Sequence, residues 1–489
     1  MTKMKFIFLF LFSAIVIYSS NFQDFLDRVN SISSLTDKQT VVDSFINYAQ
    51  GIGIPYIENY TANFLYRGNT PSAAVAGDHN GWNGSAMTKL TGTNLWYQSL
   101  EFENDARIDY KLVINGNWIL DPLNPNTIPG GFGPNSELAM PGYVQPVEIN
   151  FNPSVPKGKL TSHSIYSAIT TKNYSVSVYT PFNYDTSKTT TYPTVYFQDG
   201  GDYLNLGSSK NVIDNLIAEN RIEEVIAVFV RPTNRNDEYA FANRFKYSIF
   251  FAEELVPIID SIYSTKKDPI QRLIMGDSFG GNISALISYQ YPDVFGLCGL
   301  HSAAFWPNNY EVYNMIISGD KKNIKYYSVW GKYESLYSNM RNFLFQMTSL
   351  GYEIDGKEFN EGHSWGLWRA TTDLILEYFF PSNSVSVEEL KIVDSFELLQ
   401  NYPNPFNPIT SIEYSISAVE KGHAPSLQSN VILKVYDILG NETAELVNER
   451  KEAGKYKVNF DGSQLTSGVY FYKLQVGKNS QVRKMILLK

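Results

Sequence analysis

A serine held between glycines constrains this chain more than any other feature. Gly276-Asp277-Ser278-Phe279-Gly280-Gly281 follows the apolar run Arg272-Leu273-Ile274-Met275 and precedes the helix-like run Asn282-Ile283-Ser284-Ala285-Leu286-Ile287-Ser288-Tyr289. That order predicts a strand, a tight turn and a helix, with the serine at the apex. A G-x-S-x-G turn strains its serine and lifts the hydroxyl above the sheet edge. The glycines are needed because a Cβ would clash where strand and helix approach so closely. The helix aims its first N–H groups at the place where an oxyanion would form. The motif therefore predicts a nucleophilic serine; the alternative is a plain strand–helix turn with a capping serine.

Composition removes several other classes of function. The chain has 489 residues, enough for about three domains. Its net charge of −9, with no Lys/Arg cluster, gives a nucleic-acid partner no electrostatic support. The single cysteine, Cys298, excludes an intrachain disulfide and argues against a cysteine nucleophile or a cysteine metal cluster; it lies in an apolar run and reads as a buried core thiol. The 34 tyrosines and 15% aromatic content suit β-rich modules and sugar- or aryl-facing surfaces. Residues 1–20 read as an export signal: Lys3 and Lys5, then apolar Phe6 to Tyr18, then Ser19 and Ser20 near the cleavage point. That run is short for a membrane span, and no later segment is apolar enough, so no span is expected in the mature protein.

Periodicity divides the remainder. Residues 21–54 carry apolar residues at helical spacing and form a helical lead-in. Residues 55–150 show short alternating runs between turn residues, which predicts a β-sandwich. Residues 155–381 alternate strand-like and helical runs, with strands at Tyr174–Tyr179, Thr194–Gln198, Val225–Val230, Leu273–Met275, Gly296–Leu300, Tyr326–Trp330 and Glu353–Phe359. No helix separates the first two, so they are expected to pair antiparallel beside a parallel sheet. This is an α/β pattern, and it resembles the α/β-hydrolase arrangement. A polar linker at 382–396 leads to a second β-rich region, 397–489.

A serine hydroxyl needs a base, and histidine suits that role near neutral pH. Of five histidines, His79 and His423 lie in the flanking regions. His163 precedes the first catalytic strand and His301 follows a central one, as a wall residue. His363 stands in Glu361-Gly362-His363-Ser364-Trp365, between the last strand and the last helix. It is the expected base. The base needs a carboxylate to hold its tautomer. Glu334, just past the strand Tyr326–Trp330, leads over Asp320, Asp355 and Glu361; its alternative role is to cap the helix that follows. The oxyanion donors are expected at the backbone N–H of Phe279 and of Gly201, with Asp202 as the near alternative. Trp306, Trp365, Trp368 and Tyr203 fall near the same sheet edge and could hold an aryl or sugar ring, or simply pack around a cleft.

Three resemblances follow from ordered motifs. Tyr196-Phe197-Gln198-Asp199-Gly200, Arg235-Asn236-Asp237-Glu238-Tyr239, Glu253-Glu254-Leu255-Val256-Pro257, Gly276–Gly281, Tyr291-Pro292-Asp293-Val294-Phe295-Gly296 and Gly362-His363-Ser364-Trp365 together resemble the putative-esterase family. That family contains esterase D, feruloyl and acetyl-xylan esterases of carbohydrate esterase family one, and enterochelin esterases. The resemblance implies that His363 is the base and that Arg235 and Glu238 line the substrate cleft or pair to hold its loop. It also implies an aspartate as the acid, from which Glu334 departs. Ser72-Ala73-Ala74-Val75-Ala76-Gly77-Asp78-His79-Asn80-Gly81-Trp82, followed by Tyr110-Lys111-Leu112-Val113 and Asn117-Trp118, resembles early-set immunoglobulin-like modules, among them glycogen- and starch-binding ones. His79 stands where phenylalanine is usual. The resemblance implies a sugar platform of Trp82, Lys111 and Trp118, with Asn135 as a weaker candidate, or a packing role for the same residues. Leu399-Gln400-Asn401-Tyr402-Pro403-Asn404-Pro405-Phe406-Asn407-Pro408, with Val435-Tyr436-Asp437-Ile438-Leu439-Gly440 and Gly468–Leu474, resembles the C-terminal sorting domain of the type IX secretion system. It implies that secretion machinery is a partner and that the protein is secreted or attached to the cell surface.

The leading expectation is an exported serine carboxylic-ester hydrolase, needing no cofactor or metal, that acts on feruloylated or acetylated plant polysaccharide. A siderophore trilactone esterase is the second reading. A carbohydrate-binding surface protein with little turnover is the third, and acyl transfer to a sugar hydroxyl is a further variant of the same chemistry.

Overall fold

The computed structural model describes residues 22–382, 396–416, 429–438, 440–451, 454–476 and 479–489. The export signal, His423 and most of the 382–396 linker lie outside them. Two compact units result, Met1–Ser382 and Asn383–Lys489.

The first unit opens with helices at Phe22–Ser31 and Leu35–Ile52. Phe25 and Phe45 stack across this pair at 4.0 Å. Residues 56–139 build two small sheets, and the helices pack on one of them through Tyr56, Leu65 and Leu95. In one, Thr61–Arg67 pairs with Leu95–Glu101. In the other, Arg107–Ile114 pairs with Ala73–Gly77 and with Asn135–Ala139. Strand Arg107–Ile114 buries Ile108, Tyr110 and Leu112 between the sheets, so Arg107 and Asp109 point the other way, as the two-residue period of a strand requires.

The rest of the unit is an eight-stranded mixed sheet: β1 Lys159–Ser167, β2 Lys172–Thr180, β3 Thr194–Phe197, β4 Ile226–Val230, β5 Arg272–Asp277, β6 Leu297–His301, β7 Lys325–Gly331 and β8 Glu353–Phe359. Their spatial order is β1-β2-β4-β3-β5-β6-β7-β8, parallel from β4 through β8. Strands β3 to β6 are buried along their whole length, as parallel strands covered on both faces must be. One apolar cluster gathers around Tyr196, Ile274 and Phe343 and the other around Phe197, Met275 and Leu376, one on each face.

The sheet corrects two expectations. Strand β2 does not pair with β3; it lies antiparallel between β1 and β4. The true edge strand, β1, escapes a search for apolar runs because it is mostly polar and partly exposed, the usual character of an edge. His163 therefore lies within that strand, its Nε2 2.7 Å from the Tyr263 hydroxyl, rather than ahead of the sheet.

The second unit has a three-stranded and a four-stranded sheet, the latter with central strands Ser429–Tyr436 and Gly468–Val476. Its core includes Phe406, Leu433, Tyr472 and Leu487. Among the described residues no helix is long and apolar enough to cross a membrane.

Candidate active site

Parallel strands bring the loops after β5, β6, β7 and β8 to one sheet edge, where open α/β sheets place their ligand sites. Ser278 follows β5 with φ 53° and ψ −116°, a backbone state that costs a residue with a side chain about 1–3 kcal/mol. The neighbours hold it there. Its N–H donates to the His301 carbonyl at 2.9 Å, and its carbonyl accepts from Ala304 N–H at 2.9 Å. A Cβ on Gly276 would come within 2.5 Å of the Gly280 backbone, so the turn could not close around another residue. Helix Phe279–Gln290 starts at once, leaving the Phe279 N–H without an acceptor inside the helix.

On the far side of β6, His363 and Glu334 meet. His363 Nδ1 lies 2.6 Å from Glu334 Oε2, and Glu334 Oε1 accepts the Gly331 N–H at 3.2 Å. Glu334 is buried and His363 is partly exposed. Asp355 and Asp320 are both exposed, away from this pair. Trp368 sits edge-on to the His363 ring at 4.9 Å and donates its indole N–H to Ser302 Oγ at 3.1 Å. Ser302 N–H bonds Val329 O on β7 at 2.7 Å, which ties the β6 loop to the base side. No hydrogen bond joins the Ser278 hydroxyl to the His363 ring among the described residues. Nucleophile–base contacts in ligand-free sites commonly run long and tighten on substrate binding.

His301 is a wall residue. It is fully buried, with Nδ1 2.8 Å from the Tyr203 hydroxyl and Nε2 3.2 Å from Thr371 Oγ1, and burial pulls its pKa down to about 3. Helix Gly200–Asn205 begins beside the serine turn, where Gly280 approaches the Asp199 carboxylate. The Asp202 N–H already bonds Asp199 O at 2.8 Å, whereas Gly201 keeps the free N–H expected of a helix's first turn. Arg235 pairs with Asp199 and with the carbonyl and carboxylate of Asp277, behind the serine turn. Burial raises the pKa of Asp199 and Asp277, while the guanidinium opposes that shift.

Several expected substrate contacts are corrected. Glu238 is fully buried and does not pair with Arg235; it accepts from Lys172 Nζ at 2.9 Å, Tyr174 Oη at 3.0 Å and Thr233 N–H at 2.8 Å. Tyr203 is buried against His301, and Trp365 is buried with its ring 5.1 Å from Tyr203 and 5.2 Å from Trp368. These side chains build the wall and offer no free face. Trp306 differs: it is 46% exposed, 5.2 Å from the Phe279 ring and 6.4 Å from Phe241. Phe241 carries no motif signal in the sequence, where Tyr239-Ala240-Phe241 reads as ordinary packing.

In the N-terminal module Trp82 and Trp118 lie side by side, with centroids 6.3 Å apart and planes 25° from parallel, and Trp118 is half exposed. Lys111 is partly buried on the strand that pairs with Trp118's strand. Asn135, partly exposed, donates to Asp109 Oδ2 at 2.9 Å.

The mixed sheet, the strained serine and the buried carboxylate against a histidine define the α/β-hydrolase class. Residues 167–378 match the model of the putative esterase family, and residues 400–488 match the secretion system C-terminal sorting domain, which marks the chain for export. An endo-1,4-beta-xylanase/feruloyl esterase of Xylanibacter ruminicola is 24% identical over 315 residues, spanning 61% of this chain and 42% of that protein. The ferric enterobactin esterase of Salmonella typhimurium shares the fold with a TM-score of 0.56 and 18% identity, over 65% of this chain and 93% of that one. The enterochelin esterase of Shigella flexneri does so with a TM-score of 0.55 and 18% identity, over 66% and 93%.

Proposed function

We propose that this protein is an exported serine carboxylic-ester hydrolase in which Ser278 is the nucleophile, His363 the base and Glu334 the acid. The observation that carries the reading is the 2.6 Å contact of buried Glu334 with His363 Nδ1, on the sheet edge that also bears the strained Ser278. Glu334 accepts a hydrogen bond from Nδ1–H, which holds the tautomer that leaves Nε2 free to take the Ser278 proton. The serine oxygen attacks the ester carbonyl carbon, and the Phe279 and Gly201 N–H groups receive the developing oxyanion. His363 then passes its proton to the departing alcohol. Water repeats the sequence on the acyl-enzyme and releases the acid.

The substrate we infer is a feruloylated or acetylated plant polysaccharide, or a fragment of one. Support comes from the relative named as a feruloyl esterase, the export domain and the exposed Trp306 beside the serine turn. Trp82 and Trp118 form a surface on which a sugar ring could stack. The test is hydrolysis of methyl ferulate, acetylated xylan and a catechol trilactone, side by side, by the full-length protein and its Ser278→Ala variant. Serine-dependent turnover of the first two supports the reading. Preference for the trilactone would move the substrate to the siderophore class, and absence of serine-dependent turnover on all three would remove the enzyme assignment.

A further inference from the structure

The two loops that carry His363 and Glu334 are held from outside the eight-stranded sheet. Arg107, on the N-terminal module's strand Arg107–Ile114, is fully buried and spreads its guanidinium over four partners. Two are its own module's Asp109 and Glu137, each at 2.6 Å. The other two flank the base: Glu361 at 3.5 Å and Ser364 Oγ at 3.3 Å. The Arg107 N–H also bonds Asn360 O at 2.9 Å. Gly362 and Gly366 allow this approach: a Cβ on Gly362 would collide with the Asp78 carboxyl, and one on Gly366 with the Arg107 guanidinium.

The acid's loop is gripped in the same way. Lys332 and Tyr333, the residues just before Glu334, both bond Glu103 of the module. The Tyr333 ring packs on Phe102 at 5.9 Å. Asn360, at the start of the base loop, bonds Asp105 at 2.8 Å. The two loops touch each other directly as well, Tyr333 N–H donating to Glu361 O at 2.9 Å. Module residues 78 and 102–109 thus contact both catalytic loops and, among the bonds described, none of the Ser278 turn.

We propose that the N-terminal module is a working part of the catalytic centre, with Arg107 and Glu103 as positioning residues that set where the His363–Glu334 pair stands relative to Ser278. This rests on the triad reading above. The guanidinium fork holds the side chains on both sides of His363, Glu361 and Ser364, the Arg107 N–H holds the backbone at Asn360, and Glu103 holds the residues before Glu334. A shift of about 1 Å in a catalytic group costs on the order of a hundredfold in rate.

The test uses the full chain, with kcat and KM measured on p-nitrophenyl acetate, beside circular dichroism and thermal melting. Arg107→Met should lower kcat by about a hundredfold with KM within twofold of wild type, because binding groups on the Ser278 side are untouched. Arg107→Met strips charge from a buried cluster and could unfold the module. The double variant Glu103→Ala/Asp105→Ala, at partly exposed and exposed positions, therefore carries the test independently, with an expected kcat loss of about tenfold at constant KM. A folded double variant with kcat within twofold of wild type overturns the proposal, as does a folded Arg107→Met variant with that kcat. A rise in KM at constant kcat also overturns it, since that is the mark of a binding surface. Failure of the triad reading is separate: there Ser278→Ala would keep wild-type turnover whatever the module variants do.

Discussion

The two sides of the proposed catalytic cleft are built on different principles. On the Ser278 side everything is local: β5, Ser278 and helix Phe279–Gln290 are consecutive, and the glycines that permit the turn all lie within Gly276–Gly281. On the base side Glu334 and His363 come from two separate loops, and their surroundings come from a module more than two hundred residues earlier in the chain. The lesson is that a strained serine turn can be specified by a few adjacent residues. Pairing it with a base is a long-range problem, which this molecule meets with charges buried between two modules.

Substitutions can break or sharpen that contrast. The largest effect belongs to the local side: Ser278→Ala should cost roughly a million-fold in kcat on p-nitrophenyl acetate, judged by serine proteases. Glu334→Gln should cost on the order of ten-thousand-fold, while Asp320→Asn and Asp355→Asn leave kcat within twofold. A harmless Glu334→Gln beside a crippling aspartate change would reassign the acid. The module variants rank next. Trp306→Ala should raise KM for aryl esters about fivefold with little change in kcat, because the indole packs beside the serine turn without joining the proton relay.

The smallest effect concerns stability. His79 is packed between Phe64 and Phe102, both of its ring nitrogens lack a partner among the described residues, and burial lowers its pKa to about 4. A histidine with a depressed folded pKa contributes full stability above its ordinary pKa of about 6.5 and loses it as pH falls toward 4. His79→Phe should therefore stabilise the first unit by on the order of 2 kcal/mol more at pH 5 than at pH 7.5, measured by denaturant unfolding. Equal gains at both pH values would show that the ring is not the acid-labile group. A larger loss of wild-type activity than of His79→Phe activity after acid exposure would link the module to the base side.

The legible part of this molecule lies where sequence neighbours are also spatial neighbours. The serine turn could be read from Gly276–Gly281, and the strands β2 to β8 from strand-like runs of three to seven residues. His363 and Glu334 were accessible because strand ends share one edge in a parallel sheet, so counting strands locates their loops. Edge strand β1 was missed because its sequence is polar, and its neighbour β2 was paired with the wrong strand as a result. Arg107 and Asp109 were invisible for a related reason. On Arg107–Ile114 they alternate with apolar Ile108 and Tyr110, which is also the pattern of a strand with one face in water. Glu238, Tyr203 and Trp365 carry polar or aromatic groups at the right edge, but which of them face the cleft depends on burial that no spacing encodes.

By itself, the order of residues determined the strained serine turn, the alternation of strands and helices, and the export domain at residues 400–488. Each is a short-range property, set by glycine backbones, hydrophobic periodicity or a contiguous motif. Only the tertiary structure decided that the polar face of Arg107–Ile114 is buried against the loops of Glu334 and His363. Burying a guanidinium among carboxylates is tolerable only when all of them are assembled at once, and three-dimensional packing alone brings together residues 78, 107, 137 and 361.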